Sequence, residues 1–329
     1  MKENKISRRF KNNFAGVITA IVTPFCEDEG VSVDLNAFSL MVERQIKHKV
    51  AGVVVAGSTG EGHALTDEEF CSLLRSAESC IKRAINAGED AASDFKLIAN
   101  INTNNTAFAC NKIKLTKGIK IDAFLCAAPY YVKPTQDGLM KHFKAISDTC
   151  KDVGAPIILY NVPSRTGGEI TVETVAKLAT ECENIVGIKD ATGDLSRVQK
   201  ILHAMPNEVA DNFAIISGED GIVAQFCEKG GCGVISVVSN VLPTQMGAVY
   251  KACVSNNYQE AKKINESFDD FTNAMFEEPN PSPVKYALSR IDGLGVNNVL
   301  RLPLLPVAKN EVMEKINTEM IRFGVENEQ

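Results

Sequence analysis

Eight short apolar runs, each leading into a longer stretch of helical periodicity, alternate along the chain until about residue 240, and this narrows the possible folds more than any other feature. The runs lie at 17–21, 53–56, 97–101, 123–127, 157–160, 185–189, 214–217 and 234–237. All are short and mostly apolar on both faces, as strands of a parallel sheet covered on each side are. The stretches between them carry stripes such as Leu35, Phe38, Val42 and Ile46, then Phe70, Leu73, Leu74, Ala77 and Ile81, then Leu195, Val198, Ile201 and Leu202. Each stripe is fit to cover the outside of a sheet. One helix start is spelled out: Thr66-Asp67-Glu68-Glu69 reads as a capping box, in which hydroxyl and carboxylate satisfy exposed amides. Eight repeats over about 240 residues fit a closed (β/α)8 TIM barrel, whereas an open doubly wound sheet more often has five or six strands. No Gly-x-Gly-x-x-Gly follows the first run, which counts against a dinucleotide-binding domain.

After residue 255 the alternation stops, and helical segments are expected at 259–275, 282–291 and 310–323, with Pro279-Asn280-Pro281-Ser282-Pro283 the clearest loop. The expected organisation is a flexible basic tail over 1–13, a catalytic barrel over 14–255 and a C-terminal helical subdomain over 256–329. With 329 residues, 45% of them hydrophobic, the chain can bury a large core. A net charge of −6 argues against a nucleic-acid partner, since phosphate backbones are met by basic faces. Ten cysteines without a Cys-x-x-Cys pair and four dispersed histidines spell out neither a zinc site nor a disulfide framework, so reduced thiols in the cytoplasm are expected. The tail lacks the apolar region of a secretory signal and no run is long enough to span a bilayer, so no membrane partner is expected.

In such a barrel, chemistry sits at the carboxyl ends of the strands. There Lys189 closes the sixth run, just before Asp190-Ala191-Thr192-Gly193-Asp194. A lysine so placed reaches water, pairs with a neighbour such as Asp190, or has a use for its amine. The other strand ends are polar and specific: Gly57-Ser58-Thr59-Gly60-Glu61 after the second run, Pro129-Tyr130-Tyr131 after the fourth, and Tyr160-Asn161-Val162-Pro163-Ser164-Arg165-Thr166-Gly167 after the fifth.

In that order these segments resemble those of the dihydrodipicolinate synthase and N-acetylneuraminate lyase family of pyruvate-dependent, Schiff-base-forming lyases, and the similarity runs from Phe14 to Arg301-Leu302-Pro303. The segment carrying Arg165, and Pro129-Tyr130-Tyr131 followed by Lys133-Pro134-Thr135-Gln136, are similar to the synthase branch. Gly57-Ser58-Thr59 is closer to the lyase wording but keeps a hydroxyl. The resemblance implies condensation of pyruvate with L-aspartate 4-semialdehyde to 4-hydroxy-tetrahydrodipicolinate, on the path to lysine and diaminopimelate. It implies no metal and no cofactor beyond a covalent lysine–pyruvate imine. A homotetramer built as a dimer of dimers, with the C-terminal helices in tetramer contacts, is also implied.

On this resemblance Lys189 forms the imine, and Tyr160 passes protons to and from it through Ser58 and through Tyr131, the latter reaching in from a neighbouring subunit. The amides of Ser58 and Thr59 bind the pyruvate carboxylate, because a glycine-flanked turn exposes consecutive N–H groups. Arg165 holds the carboxylate of the second substrate with its planar fork. Gly218, in Ser217-Gly218-Glu219-Asp220, and Ile235, in Gly233-Val234-Ile235-Ser236, line the pyruvate pocket. Each also has a plainer reading: packed tyrosine, surface arginine, ordinary turn, core strand. The chemistry needs a neutral Lys189 amine, whereas a lysine of pKa about 10.4 is deprotonated to roughly a few parts in ten thousand at pH 7, so a desolvated mouth is expected to lower it.

One part of the family pattern is not kept. Where feedback-inhibited synthases meet lysine, the matching positions are Asp67, Phe70 and Phe108, with Tyr130 and Asn104 retained. Two phenylalanines and a missing glutamate predict weak or absent inhibition by lysine. His63, beside the second strand-end turn, reads as a surface residue. Two other functions stay open: another pyruvate aldolase of the family, such as an N-acetylneuraminate or keto-deoxy-sugar lyase, and a catalytically silent ligand-binding homologue.

Overall fold

Along a strand successive side chains point to opposite faces, and in this protein the two faces become the inside and outside of a closed barrel. The structure is a computed structural model that describes residues 12–325; the basic tail expected over 1–13 lies, apart from its last two residues, outside them. Strands β1 (Gly16–Ala20), β2 (Gly52–Val55), β3 (Lys96–Ile101), β4 (Ala123–Ala127), β5 (Ile157–Asn161), β6 (Ile185–Asp190), β7 (Ala214–Ser217) and β8 (Gly233–Ser236) pair in sequence order. All pairings are parallel, and β8 returns to β1 through Gly16↔Gly233 to Thr19↔Ser236. The following helices are α1 (Leu35–Lys47), α2 (Asp67–Asn86), α3 (Thr106–Leu115), α4 (Gln136–Val153), α5 (Val172–Glu181), α6 (Ser196–His203), α7 (Val223–Glu228) and α8 (Pro243–Val254).

β1, β2 and β8 each begin and end one residue before the apolar runs of the sequence, because they start on glycine. Hydrophobicity cannot mark those starts, but packing requires them: a Cβ on Gly233 would stand 2.1 Å from the Gly16 carbonyl oxygen, and one on Gly52 2.3 Å from that of Lys96. The β1–β8 seam is also pinned by side chains. The Thr19 hydroxyl bonds the Ser239 hydroxyl at 2.8 Å and donates to Gln45 of α1 at 2.7 Å.

Outward residues such as Val53, Phe124, Leu159, Ile188 and Ile215 join the helix stripes, with Phe38, Phe70 and Phe143 fully buried among them. Each such aromatic contributes roughly 1.5–3 kcal/mol by burial. Inward residues, among them Ile18, Val54, Ile98, Leu125, Ile158, Ile216 and Ile235, fill the barrel as a separate cluster. The capping box of α2 forms as read: Thr66 Oγ1 accepts the Glu69 N–H at 3.2 Å, and Glu69 accepts the Thr66 N–H at 2.9 Å.

Helices α9 (Tyr258–Glu266), α10 (Asp269–Ala274), α11 (Ser282–Leu288) and α12 (Asn310–Phe323) follow. The single helix expected over 259–275 is broken at Ser267 and Phe268. The break lets Phe268 and Phe271 both be fully buried, and the Ser267 carbonyl freed by it accepts a bond from Arg322 at 2.9 Å. The segment expected over 282–291 stops as a helix at Leu288, and tighter turn bonds from Arg290 and Ile291 finish it.

Candidate active site

Ile188 packs outward, so the strand period sends Lys189 inward and Asp190 outward again. Lys189 is 7% exposed and is the register partner of Tyr160, whose ring centre lies 4.5 Å from its Nζ. Pairing of Lys189 with Asp190, one of the readings open from sequence, is overturned by this alternation. Asp190 instead accepts from Arg197 Nε at 2.8 Å, from the Thr192 amide and hydroxyl at 3.1 and 2.6 Å, and from Asn161 at 3.4 Å. Among the described residues no carboxylate stands within ion-pair distance of the Lys189 amine.

Gly218, just after the end of β7, closes in on the same lysine. A Cβ on Gly218 would stand 3.1 Å from Lys189 Cε and 2.5 Å from Ala191 Cβ, so a side chain at that position would be driven into the lysine. Ile235 belongs to the inner cluster that also holds Tyr160. Sequence reasoning passed over the two acids after Gly218, although consecutive carboxylates at a strand's carboxyl end were a visible signal. Burial, more than any other cause, raises the carboxyls of Glu219 and Asp220, and the Lys189 charge pulls both the other way. Asp220 accepts the Val237 and Val238 amides at 3.0 and 3.3 Å, which ties this turn to the end of β8.

The turn after β2 stands across the ring from β6. Ala56 and Glu61 bracket it in left-handed conformations, φ +58° and +48°, and a Cβ on Gly62 would stand 1.9 Å from the Ala56 carbonyl oxygen. Glu61 N–H donates to the Ser58 carbonyl at 3.2 Å and Gly62 N–H to that of Gly57 at 3.1 Å, while the Ser58 and Thr59 N–H groups have no partner among the described residues. Thr59 is buried and its hydroxyl oxygen accepts from Asn280 at 3.0 Å; Ser58 is half-buried. Asn280, read from sequence only as part of a loop, thus reaches the site from the C-terminal segment.

Arg165 lies on the single helical turn Pro163–Thr166 after β5. Asn161 holds this loop by accepting the Ile170 amide at 3.0 Å, and Arg197 holds it by donating to the Ile170 carbonyl at 2.9 Å and pairing with Glu169. The Arg165 side chain is exposed, and its charge is one of the lesser influences that lower the Glu219 carboxyl. Tyr131 is 85% exposed with φ +71°, its N–H donating to the Thr166 carbonyl at 3.2 Å. One chain thus brings Lys189, Tyr160 and Gly218 together, with Ile235 in the inner barrel cluster, sets Ser58 and Thr59 in the turn after the opposite strand, and leaves Arg165 and Tyr131 in solvent. Of the positions matched to lysine binding, Phe70 is fully buried under the Lys112 ammonium, 4.5 Å from its ring centre, while Phe108 is 65% exposed. His63 is exposed.

The model of the dihydrodipicolinate synthetase family matches residues 13–319. A 4-hydroxy-tetrahydrodipicolinate synthase of Campylobacter jejuni subsp. jejuni serotype O:6 is 38% identical over 315 residues, 96% of this chain and 98% of that protein. A crystal structure of DHDPS from Cyanidioschyzon merolae with lysine bound shares 34% identity at a TM-score of 0.86, covering 95% of this chain and 99% of that one. The chloride-inhibited dihydrodipicolinate synthase from Acinetobacter baumannii, complexed with pyruvate, shares 35% identity at a TM-score of 0.84, covering 94% and 99%. Identity of this level along nearly the whole length, on a barrel with the strand-end residues just described, makes the chain a member of the dihydrodipicolinate synthetase family.

Proposed function

We propose that this chain is a lyase that condenses pyruvate with L-aspartate 4-semialdehyde to 4-hydroxy-tetrahydrodipicolinate, a step towards lysine and diaminopimelate in the cytoplasm. The observation that carries the reading is the Lys189 amine: buried, with no carboxylate partner among the described residues, and seated against the Tyr160 ring at the carboxyl end of β6. Its nitrogen attacks the keto carbon of pyruvate, water leaves, and the imine draws electrons from the methyl carbon as a proton departs. The enamine carbon then attacks the aldehyde, and the semialdehyde's own amine displaces Lys189 as the ring closes. Protonated nitrogen is the electron sink throughout, so the chemistry asks for no cofactor or metal.

Tyr160 is the proton carrier beside that nitrogen, with the Ser58 hydroxyl opposite it. The unpartnered Ser58 and Thr59 amides receive the pyruvate carboxylate, Gly218 and Ile235 shape the space for its methyl end, and Arg165 takes the carboxylate of the semialdehyde. Tyr131 serves a second copy of the chain: its side chain stands in solvent, and Tyr130 and Val132 beside it are exposed as well, an apolar patch suited to an interface. A dimer so formed, paired into a tetramer, is the assembly in which the site is complete. The barrel over 14–255 carries the reacting groups, and the helices over 256–329 support it.

Borohydride reduction with pyruvate, read by mass spectrometry, tests the imine; the adduct is expected on Lys189 and absent in Lys189→Ala. Turnover with aspartate semialdehyde but not with sugar aldehydes is expected, and the reverse preference would move the chain to the sugar lyases. Wild-type protein with no adduct would leave only a ligand-binding role.

A further inference from the structure

The turn after β2 is held by the C-terminal segment, and a buried ion pair is part of the hold. Glu61 ends that turn in a left-handed conformation that strains any residue with a Cβ and persists only where the surroundings over-determine it. A glycine would adopt it freely, so the side chain here is retained for its carboxylate. That carboxylate is fully buried, with Oε1 standing 2.5 Å from Lys285 Nζ of α11 and Oε2 accepting the Arg301 N–H at 3.0 Å. Lys285 is fully buried too; it donates to the Val299 carbonyl at 2.8 Å and lies 4.0 Å from the Phe25 ring centre, so its donors are committed. Arg301 forks onto Glu69 in the first turn of α2 and donates to the Val31 and Ala64 carbonyls. On the other side of the turn, Asn280 donates to Thr59.

A buried ion pair is a weak stabiliser, because desolvation of both charges offsets their attraction; its better-attested use is to select one arrangement among several. The arrangement selected here is the one that leaves two consecutive amides without a partner among the described residues at the barrel mouth. We infer that Glu61 and Lys285 are positioning residues for pyruvate: they hold the Ser58 and Thr59 amides in the conformation that meets its carboxylate, so the C-terminal helices are part of the binding apparatus. The inference rests on the pyruvate reading given above.

Glu61→Gln, Lys285→Met, the double variant and Asn280→Ala are compared with wild type. Each single change at the pair strands a buried charge and lowers the melting temperature; the double change removes both charges and recovers most of it. In that recovered protein KM for pyruvate is expected to stay roughly tenfold above wild type with kcat within about twofold. Amide hydrogen exchange at 57–62 is expected to be faster by a similar factor, and Asn280→Ala, which touches no buried charge, to raise the same KM. Should the double variant not fold, Glu61→Gln is read in the same way, since it keeps the side chain's shape. A double variant with wild-type melting, KM and exchange at 57–62 overturns the inference. Wild-type protein that traps no pyruvate overturns the proposed function instead, and the exchange comparison still decides whether the pair holds the turn.

Discussion

Lys189 and Tyr160 face each other across neighbouring strands, in register, with the amine 4.5 Å from the ring centre. The ring covers the amine and the hydroxyl is a separate polar group, so the two parts of the tyrosine have separable uses. Tyr160→Phe keeps the ring and removes the hydroxyl proposed to carry protons. Pyruvate trapping at saturation should survive, while kcat falls by roughly 10²–10⁴-fold, the usual worth of a positioned acid–base group. Unchanged kcat would reduce Tyr160 to a packing residue.

Arg165 offers a test of the second substrate. Arg165→Lys keeps the charge but loses the planar fork, which is worth about 1.5–3 kcal/mol per charged hydrogen bond. KM for aspartate semialdehyde should rise by roughly tenfold or more, with the pyruvate adduct forming as before. A raised pyruvate KM with an unaltered semialdehyde KM would place the residue elsewhere.

Arg197 joins Asp190, Glu169 and the Ile170 carbonyl, and is itself almost fully buried. Arg197→Met leaves the buried Asp190 charge uncompensated, at a cost of roughly 3–5 kcal/mol. Urea unfolding should show a clearly lower midpoint; a midpoint matching wild type would mean that Asp190 finds enough from Thr192 and Asn161 alone.

His142 on α4 predicts an acid-sensitive stability. Burial lowers its imidazole from the ordinary 6.5 to about 4, with Thr106 as its hydroxyl partner at 2.9 Å. The unfolded chain takes up this proton near pH 6.5 and the folded chain only near 4, so falling pH between those values favours unfolding. The full effect is at most about 3 kcal/mol, and above pH 6.5 it is absent. His142→Asn should flatten the fall in melting temperature over that window. A variant with the wild-type pH profile would show that other groups govern it.

Inhibition by lysine is expected to be weak. Phe70 lies under the Lys112 ammonium of the same chain, and no carboxylate stands at position 108 to meet the ammonium of a ligand. Loss of a charged partner of that kind weakens binding by roughly ten- to a hundredfold. Strong inhibition at low lysine concentration in an initial-rate titration would refute this.

The barrel could be read from the sequence because each strand is apolar on both faces and each helix carries a stripe, patterns that only local periodicity needs to reveal. The candidate residues at the strand ends stand out by their position and by resemblance, and Lys189, Tyr160 and Gly218 lie together in space. Glycine strand starts escaped, since they are set by close backbone approach rather than by hydrophobicity. Asn280 and Lys285 escaped for a different reason: more than two hundred residues separate them from Thr59 and Glu61, and nothing in a linear pattern announces such a pairing. The break at Phe268 likewise depends on what the phenylalanine meets, not on its neighbours.

The joint between β1 and β8 bears on how the chain is made. Thr19 and Ser239, bonded in the finished protein, are 220 positions apart, so during translation the first strand leaves the ribosome long before its last neighbour exists. Until then one edge of the nascent sheet has unmet amides and carbonyls, a surface open to other chains. Closing the circle is a late, long-range event, and the newborn protein is at greatest risk of aggregation in the interval before it.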